Sequence, residues 1–249
     1  EVTAMETWTR RALKEHAKIR VRANYWKAVL VGVLATIISG GIMGGASATS
    51  IGGTNPSSSY SGGMDEAFSS IPSDVWIAIL ILIVLLVVAG CAIAILLKVL
   101  VINPLEIGYK RFFYRNLTEN ADVKEVCYTY DMGYKNGVSV LFFRDLYVLL
   151  WSLLLIVPGI IKSYEYRMMP YILSENPDMS KEEVFALSKQ MMTGNKWKAF
   201  VLDLSFIGWD ILGALTLGIL NVFYIVPYKM ITDAGLYRAL KKETVLELR

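Results

Sequence analysis

The stretch "VWIAILILIVLLVVAGCAIAILL", residues 75–97, runs for 23 residues without a charge. As a helix rising 1.5 Å per residue it covers about 35 Å, enough to cross a hydrocarbon core of about 30 Å. A helix at the surface of a soluble protein keeps a polar face, and this one has none. It begins far from the N-terminus, so it is not a cleaved leader. The reading sets the class as all-α, a polytopic membrane helical bundle. A mean hydropathy of +0.46 and a hydrophobic share of 55% over 249 residues agree with it.

Weaker apolar segments flank this one at 26–45, 138–157, 159–175, 197–213 and 217–240. Lys and Arg collect in cytoplasmic loops, and here they sort by segment. Arg10, Arg11, Lys14, Lys18, Arg20, Arg22 and Lys27 lie at the start, and 40–74 has no basic residue. Lys110, Arg111, Arg115, Lys124 and Lys135 follow the second segment, and Lys181, Lys189, Lys196 and Lys198 lie between the fourth and fifth. Arg238, Lys241, Lys242 and Arg249 end the chain. The pattern predicts six spans forming three in-out-in hairpins, with both termini cytoplasmic and loop 40–74 extracellular. A tight outer turn is expected at Pro158-Gly159. The Gly/Ser-rich loop reads as a flexible tether, with a gate or partner-binding loop as the sharper alternative.

The chain divides as one membrane domain. Residues 1–23 form a basic amphipathic segment, 24–117 hairpin 1, 118–175 an amphipathic helix with hairpin 2, and 176–249 an amphipathic helix with hairpin 3. "NYWKA" at 24–28 matches "NKWKA" at 195–199, and "INPLEIGYKRFFYR" at 102–115 aligns without gaps with "IVPYKMITDAGLYR" at 225–238. Hairpins 1 and 3 therefore read as a parallel repeat. Amphipathic segments are expected near 6–22, 121–134 and 180–192, the last opened by a Ser180/Glu183 capping box. Trp26 and Trp197 fall where interfacial anchors belong. Pro104 and Pro227 are expected to kink their helices, as a shape feature or as a hinge.

Charges inside the spans are the candidate site. Arg144 and Asp145 lie in the third segment, Lys162, Glu165 and Arg167 in the fourth, Asp203 and Asp210 in the fifth, and Lys229 and Asp233 in the sixth. Spacing pairs Lys162 with Glu165, puts Asp203 and Asp210 on one face, and sets Lys229 beside Asp233. Arg144 is the expected partner of Asp203. Two readings stand: structural ion pairs bracing the bundle, or a polar cavity lined by the middle hairpin and the two aspartates, in which Arg144, Lys162 and Arg167 hold an anionic headgroup and Asp203 or Asp210 carries a proton or cation. Arg10, Arg11, Lys14, Lys18, Arg20 and Arg22 form a candidate surface for anionic lipid.

Cys91 and Cys127 make neither a disulfide nor a metal site, and His16 is the single histidine. No zinc pair, Ser-His arrangement, P-loop or dinucleotide motif is present, so the expectation is no enzyme, no metal and no cofactor. Membrane lipids are the expected partners, and nucleic acid is not. Function is open among transport or lipid handling through the cavity, an accessory or scaffold role, and, last, a membrane enzyme.

"NYWKA", "NPLEIGYKRFF", "FFRDLYVLLWSLLLIVPGIIKSYEYRMMPYIL", "ALSKQMMTGNKWKAFVLDLSFIGW" and "LGILNVFYIVPY" occur in order. Together they resemble the domain-of-unknown-function 975 family of bacterial integral membrane proteins. More remotely, the hairpin pattern is similar to the membrane domain of some glycerophosphodiester phosphodiesterases, without their soluble catalytic domain. The resemblance implies a bacterial cytoplasmic-membrane protein with no assigned reaction. It also implies that Met5 is the natural start and "EVTA" is extra.

Overall fold

The computed structural model describes residues 8–38 and 72–247. Nearly all of loop 40–74 and the outer end of the expected span 26–45 lie outside the described residues. Every regular element among the described residues is helical. The chain runs α1 Arg10–Ala23, α2 Tyr25–Ile38, α3 Ser73–Leu97 and α4 Asn103–Arg115. A 3₁₀ turn at Val123–Cys127 leads into α5 Tyr128–Asp131, then α6 Tyr134–Leu154, α7 Ile156–Glu165 and α8 Met169–Glu175. The chain ends with α9 Lys181–Met192, α10 Lys196–Leu204, α11 Ile207–Leu215 and α12 Val226–Glu247.

Helix α4 is the hub. It packs on α2, α6, α8, α12 and the 3₁₀ turn. Ile107, Phe112 and Phe113 are fully buried there. Gly108 lets the 3₁₀ turn approach, since a Cβ would sit 1.8 Å from the Val126 carbonyl oxygen. Helix α1 meets α2 at 107° and lies across α12. The bend is pinned by Asn24, whose amide donates to Asn116 Oδ1 at 2.9 Å and to the Ala121 carbonyl at 3.2 Å. The segment expected as a helix at 121–134 is instead a 3₁₀ turn and one α-turn, while α9 has the expected capping box, with Ser180 and Glu183 bonded reciprocally.

Two helices are long and apolar enough to cross a membrane: the continuous run Asp74–Arg115 and α6. A third qualifies if the bent pair α1–α2 counts as one span. Two of the other expected spans are built from pieces, while the sixth runs on as helix from Ile219 through a π turn into α12 and falls short in hydropathy. The fourth is α7 and α8, broken at Tyr166–Met168, and the fifth is α10 and α11, broken at Ser205–Phe206. The reverse turn of the second hairpin is at Leu155, not at Pro158-Gly159. Pro158 and Gly159 occupy the first turn of α7, where a proline's missing N–H costs nothing. Gly159 faces Ser152, whose Oγ would lie 2.2 Å from a Cβ, so the glycine sets the close approach of α6 and α7.

No break falls at Pro104. The helix runs on, and the defect is taken up by a π turn at Lys98–Ile102, where the Asn103 N–H donates to Lys98 O. A second π turn, Asn221–Ile225, precedes Pro227, with the Val226 N–H bonded to Asn221 O. A proline cannot donate to the carbonyl four residues back, and widening the preceding turn relieves the ring's clash there. At Leu100 that carbonyl is claimed by the Tyr134 hydroxyl at 2.9 Å, while Tyr130 donates to Val101 O at 3.1 Å.

Candidate functional site

The charged residues assemble where α4, α6, the α7–α8 break, α10 and α12 converge. Helix α6 directs Arg144 at α4, where its guanidinium grips Glu106 in a fork with bonds of 2.9 and 2.8 Å. It also donates to the neighbouring Asp145 at 3.0 and 2.8 Å. Asp145 is bridged in turn by Lys98 and accepts from Asn103 at 3.3 Å. Arg144 therefore pairs with Glu106, not with Asp203. Glu106 sits one turn below the π segment on α4, beyond the apolar segment 75–97, and nothing local in the sequence pairs it with Arg144.

Arg167 occupies the break between α7 and α8. Its fork takes Asp203 at 2.7 and 3.0 Å, and its Nε donates to Asp233 at 2.8 Å. Tyr164 donates to Asp203 at 2.7 Å, and Tyr171 and Lys110 to Asp233 at 2.9 and 2.5 Å. Asp233 is thus not the partner of Lys229. That lysine crosses to Asp210, with both carboxylate oxygens at 2.7 Å. The α10–α11 break explains the difference: it turns Asp203 and Asp210, seven residues apart, toward separate cations.

The expected pair Lys162–Glu165 forms at 2.9 Å, joined by Lys196 from α10 at 2.6 Å. The Glu165 side chain is 5% exposed. Lys98, Glu106, Lys110 and Lys196 are the charges that sequence reasoning missed. Each flanks a span instead of lying inside one. A clue existed in Glu106 and Lys110, spaced to share one face of α4 directly after Pro104.

On α1 the basic face is split. Lys14 donates to Ser205 O at 3.0 Å, and Arg20 to the carbonyls of Asn116 and Glu119 at 2.7 Å each. These two serve other helix ends, and Arg11 pairs with Glu15. Arg10, Lys18 and Arg22 remain outward, alongside Ile19 at 67% exposure. Trp26 and Trp197 are 73% and 72% exposed.

A cavity of about 760 Å³ opens beside the cluster. Its walls are Ile95 and Val99 from the α3 side and Phe142, Leu146 and Leu149 from α6. Its floor is Lys98, Glu106, Lys110, Arg144, Asp145 and Arg167. The size lies in the range of small-molecule sites, about 300–1,000 Å³. Of the cations assigned to a cavity from sequence, Arg144 and Arg167 border it, whereas Lys162 does not. Among the described residues no group of His, Cys, Asp and Glu is arranged to hold a metal ion.

No curated protein and no solved structure matches the chain. Residues 64–244 match a family model described as "Protein of unknown function (DUF975)". The match covers α3 through most of α12, every helix that borders the cavity included, and the chain belongs to that family.

Proposed function

We propose that this is a multi-pass membrane protein that handles an amphiphile, with the chain of the ligand along the α3–α6 wall and its charged end on the cavity floor. The observation that carries the reading is the cavity itself, apolar on its walls and densely ionic at one end. The same floor braces the bundle, so the structural and binding roles coincide in one set of residues. Each acid there is held by a cation, which favours binding over acid–base catalysis, and we place the protein outside the enzymes.

The six-crossing layout with both termini cytoplasmic is part of this proposal. The path from Trp197 to Leu217 is 20 residues, as is that from Lys135 to Leu155. At 1.5 Å each, the unbroken α6 path covers about 30 Å, one hydrocarbon thickness, and the broken α10–α11 path at most about that. The fourth and fifth fail as single spans because breaks divide them. Irregular backbone at membrane depth is tolerated where it lines a cavity, and the break at Arg167 does so. The two π turns lie at matching positions of the aligned segments, and the aligned Tyr114 and Tyr237 touch with ring centroids 5.2 Å apart, which supports the parallel repeat.

Native mass spectrometry of protein extracted in mild detergent tests the cavity. Wild type is expected to carry bound lipid, and Leu149→Trp, which fills the wall, is expected to lose most of it with little change in melting temperature. A wild-type protein that neither retains nor rebinds any amphiphile removes the reading.

A second reading, membrane-surface attachment in an accessory role, is favoured by the outward Arg10, Lys18 and Arg22 beside Ile19 and Trp26. Basic residues next to an anionic surface contribute about 1 kcal/mol each. Replacing these three with Gln is expected to weaken binding of an α1–α2 peptide to anionic vesicles at low salt, with the difference fading at high salt. Equal binding to neutral and anionic vesicles would assign the attachment to Ile19 and Trp26 alone.

A further inference from the structure

Lys110 and Arg167 border two cavities at once. Besides the large cavity they line a second of about 190 Å³, bounded by Leu202, Phe206, Lys229, Asp203 and Asp233 among others. The carboxylates that neutralise Lys110 and Arg167 are Asp203 and Asp233, and both border the small cavity but not the large one. Four cations, Lys98, Lys110, Arg144 and Arg167, line the large cavity beside two acids, Glu106 and Asp145, while the carboxylates that balance Lys110 and Arg167 line the small one.

Donors are left over as well. A guanidinium has five N–H groups and an ammonium three. Among the described residues, Arg167 spends three on carboxylates and Lys110 one. Two part-buried cations with unspent donors at the end of an apolar cavity fit a group rich in acceptors. A tetrahedral oxyanion meets that need: once Asp203 swings away, the guanidinium fork that it holds spans two of the oxyanion's oxygens while the ammonium takes a third.

The backbone around the pair is suited to accommodate such a group. Arg167 lies in the α7–α8 break, and Asp203 lies one residue before α10 ends. Broken helices facing each other across a polar site are how membrane proteins place ligand groups at depth. The Asp203 side chain is 42% exposed, against 7% for Asp233. Asp203 is the partner that yields to an incoming oxyanion, and Asp233 is the one that keeps the two cations together.

We infer that Lys110 and Arg167 form a binding site for a phosphate-type oxyanion, supplied either by the headgroup of the amphiphile or as free phosphate. The lipid source rests on the cavity reading above, and the site itself does not. The test is a native mass spectrometry titration of delipidated full-length protein with three probes: short-chain phosphatidic acid, the diacylglycerol with the same chains, and inorganic phosphate. The expected result is phosphatidic acid binding about tenfold tighter than diacylglycerol, with inorganic phosphate competing. Lys110→Gln is expected to bring that preference below about threefold, while Lys198→Gln, away from both cavities, leaves it intact. Lys110→Arg, which keeps the charge, is expected to restore most of the preference and guards against a folding defect in the Gln variant. Equal binding of the two lipids overturns the oxyanion site and leaves the cavity reading standing. Phosphate binding without lipid binding keeps the site and removes the cavity reading. Binding of none of the three overturns both.

Discussion

Glu165 shows how a buried acid constrains its neighbours. Its carboxylate is shared by Lys162 from its own helix and Lys196 from α10. Glu165→Gln leaves both lysines facing a neutral amide, and breaking a buried pair is costly. A loss of about 3 kcal/mol is expected, the low end for such a break because both lysines keep some contact with water. Adding Lys162→Met recovers only part of that loss, since Lys196 is still unpaired, whereas the triple variant with Lys196→Met recovers more. Thermal melting of the four proteins checks the order. Full recovery in the double variant would show that Lys196 contributes nothing. A second residue-scale expectation concerns His16 on α1. Partial desolvation lowers its pKa below 6.5, and the nearby Arg238 and Arg20 lower it further. The folded state therefore prefers the neutral ring. The stability that this contributes is present above about pH 6.5 and is lost as pH falls through that value toward the lower folded pKa. Melting curves between pH 7.5 and 5.5 are expected to decline less steeply for His16→Gln. Identical slopes would show that the His16 environment does not couple to folding.

At the scale of elements, the π turns join sequence to shape. Pro104 leaves the Leu100 carbonyl without its helical donor, and Tyr134 supplies a hydroxyl instead. Tyr134→Phe is expected to cost about 1 kcal/mol, the usual net value of one hydrogen bond. Pro104→Ala restores an N–H four residues along, so the double variant is expected to lose less than the sum of the singles. Strict additivity in melting experiments would separate the proline from the tyrosine. The Ser180 cap of α9 is expected to be worth about 1 kcal/mol, read as the loss in Ser180→Ala. Both features show what the sequence disclosed. The cap has a local signature, Ser followed three residues later by Glu, and α9 formed where it was expected. The prolines were visible too, but a proline's effect depends on whether the preceding turn can widen, which spacing does not encode. The ion pairs divide in the same way. Lys162–Glu165 is a local pair and was legible. Arg144–Glu106 and Arg167–Asp203 join residues 38 and 36 apart: the first depends on how α6 packs on α4, the second on where two helices break. Apolar periodicity says little about such breaks, because Tyr166–Met168 and Ser205–Phe206 lie inside runs that read as continuous helix.

For the whole molecule, the question is where the hairpin tips lie. The turns at Leu155 and Leu217 are made of apolar residues, and Leu217 is 93% exposed. The Leu217 turn holds its backbone donors internally: the N–H groups of Thr216, Leu217, Gly218 and Ile219 bond to carbonyls, and that of Leu220 to the Thr216 hydroxyl. Such a turn is suited to the outer edge of the hydrocarbon, where unsatisfied groups are expensive. Helix α3 adds a constraint, because among the described residues its apolar side chains are exposed along its length, a surface that only lipid or another apolar helix covers without cost. On the proposed layout, hairpins 2 and 3 enter the bilayer together with α3. Single cysteines at Gly218 and at Asn195, in a background with Cys91 and Cys127 replaced by Ser, locate the two ends of hairpin 3. Gly218→Cys is expected to react with an impermeant maleimide in intact cells, while Asn195→Cys reacts only after permeabilisation. Labelling of Asn195→Cys from outside would invert the topology. Protection of Gly218→Cys under both conditions, with a membrane-permeant maleimide still reacting, would show that the tip stops inside the hydrocarbon. Hairpin 3 would then enter and leave through the cytoplasmic face, and the crossings would number fewer than six, although the distribution of Lys and Arg would be the same. That distribution reports which side each loop faces and is silent on how deep a hairpin goes, so the labelling of Gly218→Cys decides what the charge pattern leaves open.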